Sequence, residues 1–315
     1  MPDVTRIQDV LIPDRWNDYF IERTAELSAI RQSGIMTTTP GLSVPYGGTT
    51  VNMPFWTDID GEDEVWASGH ETIPDPITAA KEIAVILTRI KSWGAEDLAG
   101  MFAGDDPLTA IAQLVGAYWA RKEQKTLISI LKGIFANALV GNMLDKSTVA
   151  MGLTMMVDAL GVLGDASEKI SAIVMHSATR NDLFKKKLLI PSSGEPGSSD
   201  KPEFDTFLGR RVIVDDGTPR DGDVYTTYLF GYGAIGYADG RPRVPVEVER
   251  QATKSQEVLV HRRQFIMHPR GLKWTGNAVN TTPSNTELET AANWELVFEN
   301  KNVPIIALKH MIDAA

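Results

Sequence analysis

Gly231-x-Gly233-x-x-Gly236, within LFGYGAIGYADG, follows a strand-like run and has the spacing of a dinucleotide-binding turn. Binding a pyrophosphate there requires a helix to begin at the third glycine. The continuation YADGRPRVP, with Gly240, Pro242 and Pro245, prevents one, so these glycines read as a tight corner between strands. The histidines (His70, His176, His261, His268 and His310) show neither H-E-x-x-H nor any paired ligand spacing, and no metal site is expected. No G-x-S-x-G elbow is present. Asp215-Asp216 and Asp221/Asp223 are close carboxylates, but they flank Gly217-Thr-Pro219 and Gly222, which assigns them to turns. His261 as a general base is outweighed by Arg262 and Arg263 beside it, which read as an interface patch. No catalytic constellation and no cofactor site remains, so an enzyme is not expected.

The elements that would position any site are set by composition. A chain of 315 residues, 43% of them apolar, is long enough for one large domain or two ordinary ones. The absence of cysteine excludes disulfides, thiolate metal sites and cysteine nucleophiles. The start MPDVTRIQDVLIPDRW has early acids and no apolar signal core, and no run of 18 apolar residues occurs, so no membrane is expected and the chain reads as cytoplasmic. A net charge of −10 argues against a general nucleic-acid binder. That charge is uneven: the stretch from Gln32 to Ala80 holds seven acids and no lysine or arginine, whereas Arg241 to Lys273 is basic by eight to three. One segment could attract the other, within the chain or in a neighbour.

Residues 106–139, DPLTAIAQLVGAYWARKEQKTLISILKGIFANAL, read as one long helix. Asp106 is an N-cap, Pro107 fits the first helical position, and no further proline occurs before Gly141. Its apolar positions Leu108, Ile111, Val115, Trp119, Leu127, Ile130, Leu131 and Ile134 are interrupted by Arg121, Lys122, Glu123, Gln124 and Lys125. A helix with sticky ends and a wet middle suits a strut that touches several partners, although a long core helix of an enzyme has the same look.

Before this helix, residues 1–12 read as an extended arm, 13–32 as an amphipathic helix stopped by Gly34, and 37–48 as extended chain with turns. Residues 51–66 suggest a hairpin about Asp60-Gly61, with acids at the tip (Asp58, Asp60, Glu62, Asp63, Glu64) and Phe55, Trp56 and Trp66 on its arms. An isolated ribbon has no interior, so something else must cover those aromatics. Residues 77–93 read as a strand, with a short helix as the alternative, and 95–102 as a short helix.

After Gly141 come a helix at 149–163, a strand at 172–176, and a helix capped by Ser177 or Thr179 that finishes on Lys185, Lys186 and Lys187. A surface loop follows at 191–202, then strands at 208–214, 226–230, 235–237, 244–252 and 257–268, and a turn at Pro269-Arg270-Gly271. The last segment reads as a helix from Asn285 or Thr286 to Phe298, a turn, and a strand at 303–308.

An arm, an acidic aromatic hairpin, a strut helix, an α/β body and long returning strands make an α+β order. It resembles the major capsid protein of tailed bacteriophages, the HK97-like fold. The likeness is carried by LIPDRWNDYFIERTAELSAIRQSGI, DPLTAIAQLVGAYWARKEQKTLISILKGIFA, AIVMHSATRNDLFKKK, FLGRRVIVDD, YLFGYGAIGYA, HRRQFIMHPRGLKWT and SNTELETAANWELVFENKNVPIIALK, and so spans nearly the whole chain.

The resemblance implies an N-arm (1–46), an E-loop (47–78), a peripheral domain (79–150 and 242–275) with the spine helix, and an axial domain (151–241 and 276–315). It further implies a structural protein whose hexamers and pentamers close into an icosahedral capsid around packaged double-stranded DNA, without sequence-specific binding. A portal would occupy one vertex, and the capsid would assemble in the host cytoplasm.

Two departures matter within that family. The arm is too short for a fused scaffolding domain, so any scaffold is expected to be a separate protein. The segment from Thr50 to Ile77 has no lysine, so a lysine-to-asparagine crosslink from the E-loop is not available, and noncovalent contacts or a cement protein must supply stability. The expected inter-subunit contacts are the acids and aromatics of the loop against Arg121, Lys122 and Lys125, against Lys185, Lys186 and Lys187, or against Arg262 and Arg263. An encapsulin-like compartment shares the fold, and a soluble α/β hydrolase with a metal on the acidic loop is the rival from another class. The first would hold cargo proteins, and the second would be a small discrete oligomer.

Overall fold

The computed structural model describes residues 34–38, 41–45, 47–59, 61–66, 68, 70, 71, 74–96, 107–191, 205–276 and 278–313. The helix expected at 13–32 and the arm before it lie outside these residues, as do 97–102 and all but Pro191 of the 191–202 loop. In chain order the elements begin β1 (Met36–Thr37), β2 (Thr50–Trp56), β3 (Ala79–Glu96), α1 (Pro107–Ala136), β4 (Met143–Ala150), α2 (Leu153–Gly161), β5 (Ile170–Met175) and α3 (Ser177–Lys185). They continue β6 (Thr206–Phe207), β7 (Arg210–Val214), β8 (Arg220–Asp221), β9 (Val224–Gly231), β10 (Ile235–Gly240), β11 (Val246–Gln251) and β12 (Gln256–Pro269). The chain closes with β13 (Leu272–Trp274), α4 (Asn285–Glu289), β14 (Trp294–Leu296) and β15 (Ile305–Met311).

These strands form two sheets. The first has eight strands, β1-β10-β12-β3-β13-β14, with β11 also on β12 and β2 also on β3. β3 is its axis: 18 residues rich in Ile, Val, Leu and Trp, a composition that favours pleated backbone. Its first half pairs with β2 (Trp56 opposite Ala79, Thr50 opposite Val85) and its second half with β12 (Ile86 opposite Ile266). The second sheet has seven strands, β4-β15-β9-β5-β7-β6, with β8 on β9.

Helix α1 joins the two sheets. Its first half buries Val115 and Trp119 against Val246 of β11 and Leu259 of β12. Its second half, with Leu127, Ile130, Leu131 and Ile134, shares one core with Leu87, Phe265 and Met267 of the first sheet and Val174, Phe230 and Ile305 of the second. A helix fed by two sheets can carry an apolar stripe far longer than an ordinary amphipathic helix. At Gly133 a Cβ would lie 2.1 Å from the Leu288 carbonyl of α4, so only glycine permits that approach. Two more cores complete the molecule. Met155, Met156 and Leu160 of α2 pack on the outer face of the second sheet with Ile173 and Leu308, and Leu42 covers Ala84, Ile86 and Ile266 on the first.

Several sequence expectations are corrected. The ribbon is not a hairpin about Asp60-Gly61: β2 pairs with β3, and 57–78 is a long connection closed at its base by Thr57 N donating to the Thr78 carbonyl at 2.9 Å. Acids and glycine disfavour strands, whereas 79–87 supplies β-branched partners. The strand expected at 77–93 begins at Ala79, and Ala95 and Glu96 extend it instead of starting a helix. The helix expected at 149–163 is Leu153–Gly161, because 143–150 pairs in parallel with β15, a partner more than 150 residues away.

The α3 cap is His176, whose Nδ1 accepts from the Ala178 amide at 3.0 Å, and neither Ser177 nor Thr179 serves. The C-terminal helix runs only Asn285–Glu289, with Ser284 as N-cap in a capping box with Glu287. It ends because Trp294 Nε1 and Asn293 Nδ2 donate to the carbonyls of Leu288 and Glu287, and Trp294 then enters β14 against Trp274. Elements also sort between the sheets otherwise than the expected segments. β4 lies in the second sheet, β10 and β14 in the first, each drawn by hydrogen-bonding partners distant in sequence.

Candidate assembly surfaces

The end of β2 and the loop 57–78 that follows it present large apolar side chains to solvent. Trp56 is 68% exposed, Ile59 81%, Val65 84% and Trp66 92%. Monomeric surfaces rarely leave such groups together, and each contributes about 1.5–3 kcal/mol once buried. Phe55 differs, because its ring stands edge-on to Phe298 at 4.8 Å and ties the ribbon to its own subunit. Asp58, Glu62, Asp63 and Glu64 are exposed among these apolar groups, Glu64 is bonded to His70, and Asp60 lies outside the described residues.

The charged centre of α1 is divided. Arg121, Lys122 and Lys125 are exposed, as expected, but Glu123 is only 3% exposed. It meets Arg263, itself 5% exposed, at 2.7 Å. Asp239 lies 3.1 Å from the same guanidinium, and the Tyr237 hydroxyl donates to Asp239 at 2.8 Å. Burial alone would lower the Arg263 pKa, but Glu123, Tyr237 and Asp239 outweigh it and hold the group above its ordinary range. Arg263 therefore cannot be a subunit contact; it locks α1 to β10 and β12. Arg262 points the other way and pairs with Glu247 at 2.9 Å. His261, buried and tilted on Trp119, has its pKa pulled down to about 4 by burial and then by Arg263. Its proton chemistry is suppressed by the core.

Lys185 and Lys187 are exposed beside α3. Lys186 is engaged: its ammonium donates to the Met151 carbonyl at 2.7 Å and to Asp182 at 2.8 Å, and pairs with Asp313 at 2.9 Å. Burial lowers its pKa, and the two aspartates overcome this and raise it. Lys186 is thus a staple between α3, the start of α2 and the chain's last strand, leaving Lys185 and Lys187 exposed.

The suspected motifs resolve into architecture. Gly231 and Gly233 form the corner between β9 and β10 and Gly236 lies in β10 opposite His268, with Gly233 at φ +65° and Gly231 leaving no room for a Cβ beside Pro304. Asp215 accepts from the Gly217 amide at 2.7 Å within its turn. Asp216 accepts from the Ser177 amide at 3.0 Å, and hydrogen bonds from Ser177 hold its carboxyl below the ordinary range. This turn faces Arg121, Lys125 and Lys132 of α1 across a cleft of about 370 Å³. No helix among the described residues is long and apolar enough to cross a membrane. Sequence reasoning missed Glu123 and Arg263 as a pair. Three charges and a glutamine flank Glu123, and only the register of α1 on β12 turns it inward.

The surface thus combines an exposed apolar loop, a helix tied down by a buried ion pair, and cations exposed on that helix. The family model for major capsid protein 13-like proteins (Gp13-like) matches residues 108–304. The major capsid protein of Bacillus phage SPP1 is 41% identical over 324 residues, spanning 98% of this chain and 99% of that one. Two solved structures show the same fold at low identity. The capsid of a native GTA particle has a TM-score of 0.60 at 13% identity, covering 91% of this chain and 90% of that chain. The head of Helicobacter pylori bacteriophage KHP40 has a TM-score of 0.59 at 12% identity, covering 91% of each chain. With this HK97-like fold and a matching family model over most of its length, the chain belongs to the major capsid protein 13-like family of phage capsid proteins.

Proposed function

We propose that copies of this chain assemble as hexamers and pentamers into an icosahedral shell around packaged double-stranded DNA, and that the loop 57–78 of each copy lies on a neighbouring copy. The observation that carries this reading is the exposure of Trp56 at the end of β2 and of Ile59, Val65 and Trp66 on the loop that follows, which their own subunit does not cover. In this reading the first sheet and α1 form the peripheral domain and the second sheet with α2 and α3 the axial domain, preceded by the N-arm and the E-loop.

The acids of the loop pair with exposed cations of the neighbour: Arg121, Lys122 and Lys125, or Lys185 and Lys187. Thr50 to Ile77 contains no lysine, so a crosslink from a lysine of this loop is not available, and noncovalent contacts or a cement protein hold the shell. Assembly takes place in the host cytoplasm, and a portal occupies one vertex. A net charge of −10 suits a container that does not grip its DNA.

The test is size-exclusion chromatography with negative-stain microscopy of the purified chain. Megadalton icosahedral or tubular particles are expected, and a discrete monomer or small oligomer under all assembly conditions would overturn the proposal. Charge reversal at Asp58, Asp60 and Glu62 is expected to weaken the particles. Unchanged assembly and stability in that variant would remove the ionic part of the contact.

A further inference from the structure

The outer edge of β3 is filled by its own subunit along the first half of the strand and is open along the second. β2 pairs with it from Ala79 to Val85. Beyond that, the Ile86 amide donates to the Thr49 carbonyl at 2.9 Å, the Thr88 amide donates to Thr282 Oγ1 at 3.0 Å, and Thr282 Oγ1 donates in turn to the Ile86 carbonyl at 3.1 Å. The next residues on that edge are Ile90, Ser92 and Gly94. Their direction follows from β12: Arg262, opposite Ile90, donates its amide to the Pro245 carbonyl at 2.7 Å, away from β3. In an antiparallel ladder both members of such a pair turn their backbone groups outward, and the alternation carries this to Ser92 and Gly94. Among the described residues no strand pairs with this half of the edge. Ile90 is 64% exposed, and Lys91, Ser92 and Gly94 are exposed beside it.

We infer that residues 62–66 of the loop of a second copy add to this open half-edge as a short antiparallel strand, so that the first sheet continues across the subunit boundary. The inference rests on the reading that this loop lies on a neighbour, and it names the contact as backbone pairing. An open edge is a template for any passing strand, and charge selects which one. Lys91 repels the same edge of another copy and accepts an acidic strand. Glu62-Asp63-Glu64-Val65-Trp66 has three acids and no base, is exposed throughout and belongs to no strand of its own subunit. With Glu64 opposite Lys91, Val65 falls opposite Ile90 and Asp63 opposite Ser92. Opposite residues share a face, so the carboxylate meets the ammonium on the side where Trp93 packs on Tyr118 of α1, and two apolar side chains meet on the other. Glu64 leaves its exposed bond to His70 to do so. Once apolar loop side chains cover this edge and exclude water, its amides need protein acceptors, and a paired strand supplies them in register.

Amide hydrogen exchange of the full chain, resolved by residue, reads the alternation directly. The Ile90 and Ser92 amides should exchange fast in unassembled subunits and slow by at least about tenfold in shells, while Lys91 and Trp93, which face β12, are slow in both. Ser92→Pro removes an amide that its own sheet does not use, so subunits should unfold at the same denaturant concentration while the concentration needed for assembly rises about tenfold. The chain has no cysteine, so Lys91→Cys with Glu64→Cys should give disulfide-linked oligomers from oxidised shells and monomers from unassembled subunits. Protection of Ile90 and Ser92 already in unassembled subunits would mean that the chain fills its own edge, and overturns the inference. If Trp56→Ser with Trp66→Ser weakens shells while the two amides stay fast in shells and Ser92→Pro assembles normally, strand addition falls and the loop-on-neighbour reading stands. If the tryptophan variant is also without effect, both fall. Amides protected in shells with no crosslink to Lys91→Cys from a cysteine at Asp63, Glu64 or Val65 assign the edge to another segment and also overturn the inference.

Discussion

The centre of α1 and the loop 57–78 mix the same residue types, tryptophans beside acids, and use them in opposite ways. On the helix, Trp119 and Glu123 face inward, and the acid is neutralised at 2.7 Å by Arg263 in a site both partners nearly seal from water. On the loop, Trp66 is 92% exposed and the acids around it stand in solvent. A charge placed inside the subunit must be matched by the subunit, at a large desolvation cost, and it fixes the register of helix on sheet. A charge on a ribbon without a core can be left for a neighbour to match. The first arrangement secures the tile, and the second is proposed to join tiles.

Substitutions should separate these two roles. Largest is Glu123→Ala, which leaves Arg263 buried with only Asp239 as its carboxylate partner. A loss of about 3 kcal/mol in subunit unfolding is expected by denaturant titration, with less soluble protein. Gly133→Ala should act on the same scale, because its methyl would meet the Leu288 carbonyl at 2.1 Å and force α4 off the helix. The core of α1 also sets a pH dependence. His261 is held neutral down to about pH 4, below its ordinary 6.5, so the unfolded chain binds the proton first. Stability is full above pH 6.5 and falls as pH drops toward 4, by about 2 kcal/mol at pH 5 from this residue. His261→Phe should flatten that part of the urea-denaturation profile. The contrasting variant is Trp56→Ser with Trp66→Ser. Subunit unfolding should move by less than about 0.5 kcal/mol, while assembled shells dissociate at markedly lower denaturant. Smallest is Arg262→Ala, which removes a half-exposed pair with Glu247 and should cost the subunit under about 1 kcal/mol. Comparable losses in subunit and shell for the loop variant would erase the distinction between the two regions.

Much of this division was legible in the residues. The cap Asp106-Pro107 and the apolar spacing through Ile134 marked α1 to within a few residues of Pro107–Ala136. The lysine-free acidic stretch with uncovered tryptophans marked the loop. Periodicity could not see partners far away in sequence. β4 exists because β15 lies beside it, and the last helix stops because Trp294 and Asn293 reach back to its carbonyls. Nor could a run such as Arg121 to Lys125 declare which of its charges turns inward.

By itself, then, the sequence determined what is written in local chemistry: the long helix from its caps and spacing, the extended strands from β-branched runs, the corner glycines, and the unbalanced charge of the loop. Tertiary structure alone decided the pairings that need two distant segments. These are β2 with β3 in place of a hairpin, Glu123 with Arg263, and Lys186 with Asp313. The physical reason is that propensity acts over neighbouring residues, whereas burial is a property of the surface that arrives from elsewhere in the chain.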